Sequence, residues 1–159
     1  MSQLREPILV HLQALLGSMP GVALCARNRG ELSNDQRPGV ILLDGAETIV
    51  GDPTSLKTVR MPPALFTLRP QIIVVARERD TATNETVDGQ DAPIGPELTH
   101  WLDLTTATVL NDQTLRDLVT PNGQITYLGH DTDMQWGSSM IGALQIHLAL
   151  NYPWFPPTG

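Results

Sequence analysis

The chain has 159 residues, 41% of them apolar, and a single cysteine, which fits one globular domain and excludes wholesale disorder. Ten Lys and Arg against 17 Asp and Glu give a net charge of −7, the wrong sign for a protein whose affinity comes from neutralising phosphates. Cys25 alone builds neither an intrachain disulfide framework nor a multi-cysteine metal site, and no stretch approaches the roughly 18 apolar residues that span a bilayer, so a soluble chain without a leader peptide is expected.

Leu4, Ile8, Leu12, Leu15 and Leu16 recur at helical spacing and are followed by Gly17 and Pro20, which predicts an amphipathic helix over residues 4–16 with one buried face. Two short strands follow, 22–27 and 39–47, separated by a polar loop containing Gly30, Asn34, Asp35 and Pro38. Ile72, Ile73, Val74 and Val75 form a β-branched run inside a third strand, 64–78. Pro70 has no N–H for a ladder, so it belongs at an edge or a bulge. The connections 48–63 and 79–96 are long for so small a body, and loops of that length tend to carry function.

Leu98, Trp101, Leu102, Thr105 and Val109 share one face of a second helix, 97–110, with Pro96 in its first turn. A third, short helix over 112–119 takes Asn111 as its N-cap and stops before Pro121, Asn122 and Gly123. The fourth strand covers 123–130. The fifth, 139–151, has the clearest alternation in the chain: Met140, Leu144, Ile146, Leu148 and Leu150 on one side, Ser139, Gln145, His147 and Asn151 on the other. Pro153, Pro156 and Pro157 predict that residues 152–159 leave the sheet as an extended tail. The expected architecture is an α+β domain over 1–151, a mixed, mainly antiparallel sheet with helices packed on one face.

Chemistry-bearing clusters are sparse. His130, Asp131, Thr132 and Asp133 form the best acidic and histidine group, but they lack the glycine and distal Glu of a calcium loop and read as a polar turn. Asp44-Gly45 reads as the turn that closes the second strand rather than as a catalytic carboxylate. His11, His100, His130 and His147 show no helical i, i+4 pair, and residues 137–139 match neither a nucleophile elbow nor a phosphate loop. Cys25 lies in an apolar strand and reads as a small buried filler. No catalytic residue, cofactor or metal is therefore expected. Trp101 belongs to a core stripe, whereas Trp136 sits between Asp133 and Gly137, where an aromatic either anchors an interface or folds back onto its own domain. Tyr152, Trp154 and Phe155 place three of the seven aromatics in the last eight residues; such a tail covers a sheet edge or docks on a neighbour.

The order of these parts resembles the tail terminator, or tail completion, proteins of long-tailed bacteriophages. The likeness rests on the first helix, Arg37-Pro38 leading into a strand with Asp44-Gly45, and the strand over 64–78. It continues through Leu110-Asn111-Asp112 and Leu115, Ile125-Thr126-Tyr127-Leu128-Gly129, the closing strand 142–150 and Tyr152-Pro153-Trp154-Phe155-Pro156. The resemblance implies a non-enzymatic virion protein, assembled in the host cytoplasm, that forms a hexameric ring at the head-proximal end of the tail. Such a ring caps the tube, stops elongation and offers a surface to the neck or connector protein, with the sheath as a further neighbour in a contractile tail. Genomic DNA passes through the channel without specific binding. Interface candidates are then Trp136, Gln145, His147, Tyr152, Trp154 and Phe155, with the 48–63 and 79–96 loops docking axially. The alternatives are a neck or head–tail connector protein, a tube subunit, a peptide-binding adaptor, and, more remotely, a small metal-dependent hydrolase using Asp131, Asp133 and a histidine.

Overall fold

The computed structural model of the chain describes residues 4–50, 65–86, 89, 93–119, 123–137 and 139–153. Its elements are helix α1 (Arg5–Gly17), strand β1 (Cys25–Arg27), a 3-10 turn (Asn34–Gln36), strands β2 (Gly39–Val50) and β3 (Leu65–Val75), helices α2 (Ile94–Leu110) and α3 (Gln113–Val119), and strands β4 (Gln124–Trp136) and β5 (Met140–Pro153). The strands form one mixed sheet in the order β1-β2-β3-β5-β4; only β1 and β2 run parallel. The fold is α+β with a mostly antiparallel sheet, as the element order predicts.

Alternation builds the core. Val40 and Leu42 of β2, Leu68, Ile72 and Val74 of β3, and Leu144, Ile146, Leu148 and Leu150 of β5 join one buried cluster with Ile8, Leu9, Leu12 and Leu16 of α1, Leu98, Trp101 and Val109 of α2, and Leu115 and Val119 of α3. Cross-strand partners Val40 and Val74, Leu42 and Ile72, Ile72 and Ile146 share one face of the pleat. The intervening positions Ile41 and Val75 form a smaller cluster with Ala26 and Leu32.

Two bulges interrupt the ladders. In β2, Asp44 and Gly45 together oppose Pro70, so the missing N–H of that proline falls where the ladder is already broken. Pro70 thus sits at a bulge, one of its two expected places. Asp44-Gly45 is not the end of the strand, which runs on to Val50; the left-handed φ of +72° at Gly45 serves the bulge and not a turn. A Cβ there would lie 1.8 Å from the Arg69 carbonyl oxygen. In β4, Leu128 is the extra residue between the Tyr127–Leu148 and Gly129–His147 pairs.

The sheet is longer than the sequence indicates at two places. The sequence predicts that β4 stops at His130, yet Asp131 to Trp136 continue to pair with β5. The polar run there is an edge strand and not a turn; it buries none of its side chains fully, so it needs no apolar alternation. β5 also keeps Tyr152 and Pro153 in the ladder, opposite Phe66 and Leu65, so the tail begins after Pro153. β3 ends earlier, at Val75.

Ion pairs and caps tie the helices down. Arg79 is fully buried and donates to the Glu97 carboxylate, which also accepts the Trp101 Nε1–H at 3.3 Å. This pair fastens the segment after β3 to α2. Asp112, rather than Asn111, caps α3: its Oδ2 accepts the Leu115 N–H at 2.7 Å and lies 2.6 Å from His11 Nε2 on α1. Burial pushes the Asp112 carboxyl up, but the His11 and Leu115 hydrogen bonds outweigh it and hold the group below its ordinary value.

Candidate interaction surfaces

β4 and β5 form a hairpin whose outer strand is the edge of the sheet. Of the large apolar side chains that stand exposed among the described residues, Tyr127, Leu128 and Trp136 lie on β4, while Val10 lies on α1 and Ile49 on β2. Trp136 is 68% exposed at the end of β4, opposite Met140, the setting in which an aromatic anchors a contact. Gln145 and His147 are half-buried, on the side of β5 opposite to the Leu144, Ile146 and Leu148 row. His147 Nε2 meets Asp131 Oδ2 at 3.2 Å. The Tyr127 hydroxyl contacts His130 Nδ1, with the two rings stacked.

Tyr152 belongs elsewhere. It is fully buried, packs edge-on to Phe66 and donates its hydroxyl to Glu47, so it serves the core of its own chain and is withdrawn from the interface set. Burial raises the Glu47 carboxyl above its ordinary value, against the opposing pull of Arg5. Trp154 and Phe155 lie outside the described residues, as do residues 51–63 of the first long loop. The second long connection keeps its expected length but starts and ends earlier, between Val75 and Ile94: Arg79 bridges Met140 and residues 80–85 form a turn closed by Asp80 N–H to the Glu85 carbonyl at 2.9 Å, while residues 87, 88 and 90–92 lie outside the described residues.

Groups with chemical potential are held in structural roles. Arg27 grips Asp44 through two hydrogen bonds of 2.7 and 2.9 Å and reaches Glu6 at 3.0 and 2.5 Å. Those bonds hold the Asp44 and Glu6 carboxyls low and the guanidinium of Arg27 high. Burial raises the Cys25 thiol to about 11, so at neutral pH it is not a thiolate. Asp131 and Asp133 stand on the same side of a strand, with Asp131 75% exposed. Among the described residues no three His, Cys, Asp or Glu side chains converge as metal ligands would, and no helix is long and apolar enough to cross a membrane.

Concavities flank the sheet among the described residues. A cleft of about 550 Å³ opens between the α1–β1 connection, the start of β2 and the start of α2, with Trp101 in its floor, Pro20, Pro38 and Pro96 in its walls and Arg37 and His100 among its lining. A smaller groove, about 200 Å³, runs between α2 and β4 past Leu98, Leu102, Thr132 and Met134. The sequence pointed to neither, because each is assembled from segments distant in the chain. No family model matches the chain, and no curated protein matches it.

Proposed function

We propose that this chain is a structural component of a bacteriophage tail, a tail terminator that works as a hexameric ring. The observation that carries the reading is the β4 edge: a strand of 13 residues, none of them fully buried, that ends in an exposed tryptophan. A subunit that functioned alone would be expected to cover or shorten such an edge. Head-to-tail association that closes by rotation requires two unlike surfaces on every copy, and the β4 side of the sheet is chemically unlike the β1 side. The order of elements, which resembles that of tail terminators, supplies the family.

In this reading the ring sits at the head-proximal end of the tail, in the virion, after assembly in the host cytoplasm. One rim matches the last ring of tube protein and the other offers the neck or connector protein a surface on which no further tube subunit fits, so elongation stops by occupancy of the growing end. From Asp117 onward the chain contains no Lys or Arg, and carboxylates such as Asp131 and Asp133 facing the channel repel passing DNA. Trp136, Gln145 and His147 act between copies.

Electron microscopy of the purified full chain, alone and mixed with tail tubes of the same phage, tests this. The expected images are closed rings and tubes capped at one end that no longer grow. A protein that forms long tubes by itself is a tube subunit instead, and one that stays monomeric and leaves tube ends bare refutes the ring.

A further inference from the structure

The cleft floored by Trp101 lies at one end of the sheet, and Pro153, the residue that precedes the aromatic Trp154 and Phe155 in the sequence, lies at the other. The cleft belongs to the Met140 end: Arg77, which helps to line it, is flanked by Ala76, whose N–H donates to the Gly142 carbonyl at 3.0 Å, and by Glu78 and Arg79, the latter bridged to Met140. The tail leaves from the other end, because Trp154 follows Pro153, the last residue of β5. Thirteen steps of strand at ~3.3 Å separate Met140 from Pro153, roughly 43 Å. With neighbouring Cα atoms about 3.8 Å apart, Trp154 and Phe155 start within roughly 8 Å of Pro153. Neither ring reaches the cleft of its own subunit.

We infer that the cleft receives Trp154 and Phe155 of a second copy. Prolines on its walls and an indole edge in its floor offer an aromatic ring flat apolar contacts, and each ring buried there removes roughly 150–250 Å² from water. Arg37 is pre-positioned at the cleft by bonds to Asn34 Oδ1 at 3.0 Å and the Leu32 carbonyl at 2.8 Å, so its guanidinium can lie over an incoming ring without losing further freedom. The Glu97 charge is already met by Arg79, so it does not oppose an apolar guest. A donor at one end of the sheet and an acceptor at the other make the contact head-to-tail, the type that closes into rings. The inference deepens the ring reading and rests on it.

Full-length variants test it. Trp154→Ser/Phe155→Ser removes the donor; Ala23→Trp, at an exposed cleft position, fills the acceptor, with Pro20→Trp as a second block should the first not fold. A fluorescein-labelled hexapeptide of residues 154–159 should bind the donor-less variant with a Kd of about 100 µM or tighter. Adding the Ala23→Trp block to that variant should weaken binding at least about tenfold. In sedimentation an equimolar mixture of the two variants should associate more strongly than either variant alone, because only the mixture restores one donor–acceptor contact. The inference is overturned if the peptide fails to bind, binds the blocked cleft equally, or is displaced equally well by a hexaglutamate peptide, which would make the cleft an anion site. Rings that persist in the Trp154→Ser/Phe155→Ser protein sink this contact and leave the ring standing. A wild-type chain that neither forms rings nor caps tubes sinks the ring, while the peptide titration still decides the cleft.

Discussion

β1 closes one side of the sheet with three residues and β4 closes the other with 13. Around β1 the chain uses its own side chains: Gln13 of α1 donates to the Cys25 carbonyl at 3.0 Å, and Arg27 reaches both Glu6 and Asp44. Along β4 the charged groups are Asp131 and Asp133 with no cation on the strand, and the ladder is broken only at Leu128. The difference separates two uses of charge. On the β1 side ion pairs fix the fold; on the β4 side they leave a surface that resists flat self-pairing while remaining open to a shaped partner.

The two bulges give the largest contrast. Gly45→Ala drives a Cβ against the Arg69 carbonyl at a left-handed φ, and we expect a loss of about 3 kcal/mol or more in urea unfolding. Gly129→Ala meets open space, though at a φ of +136°, and should cost about 1 kcal/mol from backbone strain alone. Equal losses at the two sites would remove the distinction between a locked and an open edge. Between these extremes, Arg27→Ala should cost about 2 kcal/mol, because it strips a paired carboxylate of a two-pronged donor at a site about one-fifth exposed. Arg27→Lys should restore only part of that, since an ammonium cannot form the fork.

Acid sharpens the same comparison. Asp44 and Glu6 have folded-state carboxyls lowered chiefly by their hydrogen bonds to Arg27, so their stabilisation is present above the unfolded-state carboxylate value of about 4 and is lost as pH falls through the lower folded values. Wild type should therefore lose stability more steeply than Arg27→Ala between about pH 4 and pH 2 when the two are titrated in parallel; parallel curves would deny the β1 lock. The smallest effect on folding is expected at Trp136→Ala, within about 0.5 kcal/mol for so exposed a side chain, together with loss of ring formation in micrographs. Rings unchanged in that variant would exclude Trp136 from the contact.

Much of this was legible in the residues. The α1 stripe, the β5 alternation and the place of Pro70 follow from period and from the missing N–H, and Trp101 sits in the core as its helical spacing predicts. The outer half of β4 was not legible, because Asp131 to Gln135 face water on both sides or are only part-covered and show no binary pattern. Tyr152 was misplaced by the prolines that follow it, although a strand can end in proline. The Arg79–Glu97 pair escaped because its partners are 18 residues apart in different elements. Of the surface candidates, Trp136, Gln145 and His147 share the β4–β5 hairpin, and the cleft built from three loops had no local signal at all.

The carboxylate of Asp112 that caps α3 while meeting His11 has a dynamic corollary. A helix of seven residues is far below the ~12–15 at which isolated helices become even marginal in water, so α3 survives on what it borrows from α1 and from the core. Its amides should exchange with deuterium at the same rate as those of α1, as one cooperative unit, and should remain protected while the outer hairpin strand opens and closes many times.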